Sequence, residues 1–201
     1  MKLFYSPGAC SLSPHIVLRE AGLPYELEKV DLKTHTTAAG ADFYGINPKG
    51  YVPALVLDDG HVLTEGPAVV QYLADRKPEA KLAPAPGTFE RSELQEWLNY
   101  ISTEVHKTFG LLIHSKLAPD FKETTLANLG KKLDYLSKHL AERKFLLGDA
   151  FSVADAYLYT VLRWTRGLKI DLNKWPAVQE YMNRVAARPA VQAALKEEGL
   201  S

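Results

Sequence analysis

Lys2-Leu3-Phe4-Tyr5-Ser6-Pro7-Gly8-Ala9-Cys10-Ser11-Leu12-Ser13-Pro14-His15 opens the chain and contains its only cysteine. The apolar run Leu3 to Tyr5 reads as a strand, and Pro7-Gly8 breaks it. Ser13 before Pro14 is a helix-start signal. A serine oxygen can accept from unpaired amides, and proline at the first helical position gives up an N–H that has no helical partner. Ser11 is a rival cap. Either start leaves Cys10 beside the positive end of a helix dipole, among amides with no helical acceptor. That setting favours a thiolate, on Cys10 or on a sulfur bound beside it. The alternative is a small thiol that simply packs in the interior.

Outward from this stretch, strand and helix signals alternate at the spacing of α/β units. Lys2 to Tyr5 is the first strand and Pro14 to Ala21 a helix, which Gly22 and Pro24 end. Tyr25 to Leu32 alternates as a second strand. His35 to Ile46 is a loop with room for one helical turn. Val52 to Leu57 and His61 to Leu63 flank the turn signal Asp58-Asp59-Gly60. Thr64-Glu65-Gly66-Pro67 opens a helix running to about Arg76, with Val69, Val70, Tyr72 and Leu73 as its buried stripe. The order is β-α-β, then β-β-α, over residues 1–79.

Residues 80–87, rich in proline, read as a linker. From 88 to 201 the pattern is helical. Leu94, Trp97, Leu98, Ile101 and Val105 recur at i, i+3, i+4. Leu126, Leu129, Leu133, Leu136 and Leu140 form a second stripe of core type. Ser152-Val153-Ala154-Asp155 resembles a capping box with aspartate in the glutamate position. Two more helices follow Trp175-Pro176 and Arg188-Pro189.

Composition excludes several classes. Lys plus Arg and Asp plus Glu number 24 each, and no basic run is present, which argues against a nucleic-acid partner. No apolar run approaches the ~20 residues of a membrane span, and no charged leader precedes a long apolar stretch, so neither a membrane anchor nor a signal peptide is expected. A lone cysteine suits a reducing, cytoplasmic setting. The six histidines lack ligand spacing, so no metal is expected. Nucleotide cradles and a G-x-S-x-G elbow are missing. Cys10 to Ser13 is C-x-x-S, so an internal dithiol cycle is ruled out, whereas a mixed disulfide with a small thiol is not.

Three further places could carry chemistry. In Gly50-Tyr51-Val52-Pro53-Ala54-Leu55, a cis Val52-Pro53 bond would turn the Val52 backbone outward to pair with an extended peptide; an ordinary trans proline at a strand edge is the alternative. At Thr64-Glu65-Gly66-Pro67, Glu65 can hold an ammonium and the Gly66 N–H a carboxylate, which suits the zwitterionic end of an amino acid. Helix capping by Thr64 or Glu65 is the plainer reading. Asn99, Thr103 and His106, spaced by four and three, share a helix face flanked by Glu104 and Lys107. They line either a cleft or a solvated surface.

Taken with Asn47-Pro48-Lys49-Gly50-Tyr51-Val52-Pro53-Ala54-Leu55, Leu63-Thr64-Glu65-Gly66, Trp97-Leu98-Asn99-Tyr100-Ile101, Glu104-Val105-His106-Lys107 and Ser152-Val153-Ala154-Asp155-Ala156-Tyr157, the opening stretch resembles cytosolic glutathione transferases, most closely the bacterial beta class. The resemblance spans the whole chain. It implies an α/β thioredoxin-like N-terminal domain plus an all-α C-terminal domain, a homodimer, and glutathione as co-substrate.

By the same resemblance Cys10 lies beside the glutathione sulfur, Val52 binds the cysteinyl backbone ahead of a cis Pro53, and Glu65 and Gly66 take the γ-glutamyl end. His106 lies near the sulfur, and Asn99, Thr103 and Glu104 reach the tripeptide, some from the partner subunit. His35 stands where the family often has a lysine for the glycine carboxylate. Tyr5, catalytic in other classes, ranks lower here, as do Ser11 and Lys107. The implied reaction is attack of the glutathione thiolate on a small apolar electrophile held near Tyr5 and Phe109 between the domains. Glutathione-dependent thiol-disulfide exchange or peroxide reduction would be side activities of that transferase; the rival readings are a glutaredoxin-like thiol transferase using Cys10 and a non-enzymatic binding module.

Overall fold

The computed structural model describes residues 1–114 and 116–200, apart from the side chain of 114. Two units emerge: Met1–Ala83 together with Ala187–Ser201, and Pro84–Ala186. The sequence pattern carries the helical domain through to 201. The structure instead returns the last helix to the first unit.

The first unit holds a five-stranded sheet in the order β3-β2-β1-β4-β5. Its strands are β1 (Lys2–Tyr5), β2 (Glu26–Asp31), β3 (Thr36–Thr37), β4 (Ala54–Val56) and β5 (Val62–Thr64). β1 runs parallel to β2, joined through the crossover helix α1 (Leu12–Ala21), while β4 and β5 are antiparallel additions. This is the thioredoxin-like arrangement. The register sets Leu3 against Leu27 and Leu55, and Leu55 against Leu63. Side chains alternate across a strand, so Phe4, Val30 and Ala54 form the other face, where Phe43 and Val52 join them.

The loop expected over 35–46 contains the short strand β3 and a 3₁₀ turn at Phe43–Gly45. That turn delivers Phe43, its ring 5.8 Å from Phe4. Helix α2 (Gly66–Arg76) buries Val69, Val70, Leu73 and Ala74, while Tyr72 is only half-buried.

Helix α1 starts earlier than the serine-proline signal suggests, and neither serine caps it. Ser11 occupies the N-cap position without a side-chain cap bond. Its Oγ instead accepts the Ser6 N–H at 3.1 Å and donates to the Ser6 carbonyl at 3.3 Å. Ser13 Oγ donates to the Cys10 carbonyl at 2.8 Å. Pro14 therefore stands third in the helix, still within the first turn, where a missing N–H costs nothing. Gly22, at φ 62°, closes the helix in the left-handed region, its N–H turned back to Leu18 and Arg19.

The final helix α9 (Pro189–Glu197) packs on α1. Arg188 binds Glu20 through Nε at 2.6 Å and Nη2 at 2.8 Å. A bidentate fork of this kind fixes angle as well as distance.

The second unit comprises α3 (Phe89–Tyr100), α4 (Lys107–His114), α5 (Pro119–Leu140), α6 (Val153–Leu162), α7 (Trp164–Leu168) and α8 (Pro176–Ala186). Between α3 and α4 the run Ile101–His106 is a π-helix. Thr88 caps α3 by accepting the Arg91 N–H at 3.2 Å. The expected stripe is buried from Leu94 to Val105. On α5 the stripe holds for Leu129, Leu133, Leu136 and Leu140, but Leu126 is 38 % exposed. All ten residues of α6 are buried, as befits a helix that is apolar all round. Asp155 anchors its start: Oδ2 accepts the Ser152 N–H at 2.9 Å and Oγ–H at 2.8 Å, and Oδ1 accepts the Leu146 N–H at 2.9 Å.

Candidate functional site

In the first unit the site is built from element ends. Cys10 lies just ahead of α1, half-buried, with Sγ donating to the Val52 carbonyl at 3.1 Å. Its loop is tied down from three directions. The Ala9 N–H donates to the Ser6 carbonyl at 3.0 Å, and Leu12 to Ala9 at 3.0 Å. Ser11, fully buried, holds both backbone groups of Ser6. From the far end of the chain, Glu198 Oε2 accepts the Gly8 N–H at 2.9 Å. Glu198 is held in turn by the buried His15, whose Nδ1 lies 2.9 Å from Oε1, while His15 Nε2 is 2.7 Å from Glu197. Arg19 and Tyr25 also bind Glu197. Nothing in the local sequence around Cys10 signals this brace.

The Val52-Pro53 bond is cis. The loop before it is organised by buried Asn47, whose Nδ2 donates to the Tyr51 carbonyl at 2.6 Å and whose Oδ1 accepts the Lys49 N–H at 3.2 Å. Gly50 sits at φ 71°, where a Cβ would lie 2.7 Å from the Tyr44 ring, so both conformation and space demand glycine there.

Glu65 occupies the N-cap position of α2 at φ 67°, without a cap bond. A non-glycine residue in that region stores strain, a feature common at ligand sites. Its carboxylate meets Lys49 Nζ at 2.5 Å. Gly66 is the first residue of the helix, so its N–H belongs to the set a helix cannot pair internally. His35, at φ 53°, stacks on Tyr44 with ring centroids 4.5 Å apart. Its Nδ1 is buried with no hydrogen-bond partner among the described residues.

Tyr5 is buried. Burial first, and the Glu198 carboxylate second, push its phenol up from the ordinary value, so it stays protonated at neutral pH. Phe109 is fully buried against Trp164. These two side chains are therefore interior groups rather than the open apolar lining expected of them; Phe109 falls on the inner face of α4.

In the second unit the expected polar face spans α3 and the π-helix. Asn99, Thr103, Glu104 and Lys107 are exposed and His106 is half-buried. Thr103 Oγ1 donates to the Asn99 carbonyl at 3.0 Å. Glu104 is engaged by Lys132 from α5, Nζ to Oε2 at 2.6 Å. His106 Nδ1 lies 2.6 Å from Tyr157 Oη, a partner that helix spacing alone does not reveal. Among the described residues no group of three or more His, Cys, Asp or Glu is placed to hold a metal ion.

A parallel-plus-antiparallel sheet with a thiol at the first helix start, a cis proline facing it, and a helical second unit define a thioredoxin-fold protein that handles a small thiol. Residues 8–76 match the glutathione S-transferase N-terminal domain model and residues 100–189 the C-terminal one. The chain is 48 % identical over 200 residues to glutathione S-transferase GstA of Escherichia coli O157:H7, covering all of both. It matches the solved sphingomonad glutathione S-transferase complexed with glutathione at 48 % identity and a TM-score of 0.96, covering 100 % of each chain. A bacterial beta class enzyme from Sphingomonas chungbukensis matches at 46 % identity and a TM-score of 0.96, again over 100 % of each. The chain belongs to the glutathione S-transferase family, beta class.

Proposed function

We propose that this protein joins the thiolate of glutathione to small hydrophobic electrophiles. The carrying observation is the Cys10 Sγ contact at 3.1 Å to the Val52 carbonyl, at the mouth of α1. It sets a thiol at the start of α1 beside the Val52 backbone and the cis Pro53, which is what a cysteinyl tripeptide needs.

The Val52 N–H and C=O pair with the cysteinyl residue of glutathione, next to Pro53. Glu65 takes the γ-glutamyl ammonium, exchanging Lys49 for it, and the Gly66 N–H takes the α-carboxylate. His35 stands on the side of the glycine carboxylate. From the helical unit His106 donates to the sulfur, while Asn99, Thr103 and Glu104 contact the peptide; Ser11 and Lys107 act by shaping the loop and adding positive charge. Tyr5 ranks below Cys10 and His106 as an activator, because its side chain is buried.

The chemistry is a substitution or addition. The glutathione S–H loses its proton to solvent, the thiolate pair forms a carbon–sulfur bond, and with an aryl halide the halide leaves with the carbon–halogen pair. The helix-end amides and the His106 donor stabilise the sulfur charge before attack. The protein works as a homodimer in the cytoplasm, where the glutathione pool resides.

Conjugation of glutathione to an aryl halide, followed by absorbance, tests the reading. Full chain retained on immobilised glutathione and active in that assay is the expected result. Cys10→Ala is expected to keep conjugation within about tenfold while abolishing any exchange with mixed disulfides. A protein that neither binds glutathione nor conjugates any of a panel of electrophiles refutes the proposal.

A further inference from the structure

His106 ends the π-helix, and one extra residue in a helical turn rotates all that follows by about 100°. Its imidazole meets α6. Nδ1 lies 2.6 Å from the hydroxyl of Tyr157, a residue only 2 % exposed. Two rings stand edge-on to the imidazole: Tyr157 at 5.8 Å and 80°, and Trp164 at 4.9 Å and 65°. Trp164 is itself set against buried Phe109. The plane of the histidine is thereby fixed by packing, and α6 is anchored through Asp155.

A neutral imidazole carries one donor nitrogen and one acceptor. Facing a phenol, the imidazole nitrogen is the better acceptor and the phenol O–H the better donor. With Nδ1 as the acceptor, the proton of the hydrogen bond belongs to Tyr157 and the ring proton to Nε2.

We propose that Tyr157 is a positioning residue for catalysis: it donates to Nδ1 of His106 and holds the imidazole as its Nε2–H tautomer. In that form His106 offers a donor from Nε2 to an anionic sulfur without having to be protonated itself. The proposal rests on the reading of His106 as a sulfur-side donor. The hydroxyl moves no proton in the reaction; its work is done in the resting enzyme, by excluding the tautomer that would present a lone pair to the thiolate. A hydrogen bond to the other ring nitrogen sets the tautomer of metal-binding histidines in the same way.

Nitrogen NMR of the full chain with labelled histidine decides it, with the His106 signals assigned by their loss in His106→Gln. At pH 7.5 the expected spectrum has Nδ1 bare and Nε2 protonated. Tyr157→Phe is expected to give exchanging tautomers, a kcat for aryl halide conjugation lower by about tenfold, and a KM for glutathione changed less than about twofold. Glutamine at 106 keeps a donor near the Nε2 position without tautomers, so Tyr157→Phe in that background should cost less than about twofold further. A wild-type spectrum with the proton on Nδ1, or a phenylalanine variant with unaltered tautomer and kcat, overturns the proposal while His106→Ala stays impaired. His106→Ala with full kcat would instead remove the reading of His106 beneath it, and the spectrum still decides where the proton sits.

Discussion

Cys10, Val52 and Glu65 stand at junctions, where a strand meets a loop or a loop meets a helix; Asn99, Thr103, Glu104 and His106 stand along one continuous helical run. Junction residues take their positions from turns, caps and special backbone angles, all of which leave local marks. Residues inside a helix take theirs from its phase, which one π-turn alters without a mark. The two regions also differ in how they are held. The Cys10 loop is braced by Glu198, 190 residues away in sequence, whereas His106 is held by packing and by one phenol from a neighbouring helix. A long-range brace of buried charge is the more brittle of the two, because losing one partner strands the others.

Glu198→Ala probes that brittleness most directly. It removes the carboxylate that meets both His15 Nδ1 and the Gly8 N–H, and we expect a loss of about 3–5 kcal/mol in urea unfolding. A loss under about 1 kcal/mol would show that the Cys10 loop is shaped locally after all, erasing the contrast between the units.

The second unit has its own buried carboxylate, and its pH response runs the other way from usual. Burial raises the Asp155 carboxyl from 3.8 to about 6, against the opposing donors of Leu146, Ser152 and Tyr181. Between about pH 4 and 6 the folded state holds a proton that the unfolded chain has lost, so this group's stabilisation is complete below about pH 4 and is lost as pH rises through 6. Asp155→Asn turns an amide N–H₂ toward groups that donate, and is expected to cost about 2 kcal/mol at pH 7. Since the variant does not titrate, its deficit relative to the parent should widen by about 2–3 kcal/mol between pH 7 and pH 4. Parallel unfolding curves at the two pH values check this; a deficit that narrows at low pH would contradict the assignment.

The smallest effect belongs to Lys132. Its partner Glu104 is half in solvent, so Lys132→Met is expected to change stability by less than about 1 kcal/mol. If Glu104 contacts glutathione, releasing it from Lys132 sharpens the comparison in the other direction: the KM for glutathione moves while the melting temperature does not.

Much of the first unit was legible in the sequence. Lys2–Tyr5 begins and ends where expected, Gly22 closes α1, and α2 ends at Arg76. These marks are read well because glycine, proline and alternation act within a few residues. The serine-proline start misled by two positions, since both hydroxyls found better partners in Ser6 and Cys10 than in the helix amides. Thr36–Thr37 escaped notice because two residues are too few for a period to show. In the second unit the buried stripes of α3 and α5 were legible, save for Leu126, which lies at the margin of its stripe. Tyr157 stands in the sequence only as the last residue of the motif that begins at Ser152, since its hydroxyl's role depends on where another helix sets His106.

The sequence alone determined the order of elements, the apolar faces and the thiol at a helix start, because short-range sterics and solvent exclusion dictate those wherever the chain goes. Tertiary structure decided three other things: that the last helix belongs to the first unit, that Glu198 reaches the Gly8 amide, and that His106 meets Tyr157. Each of these joins groups through space over separations for which no local pattern exists, and each becomes favourable only once the surrounding core has removed competing water.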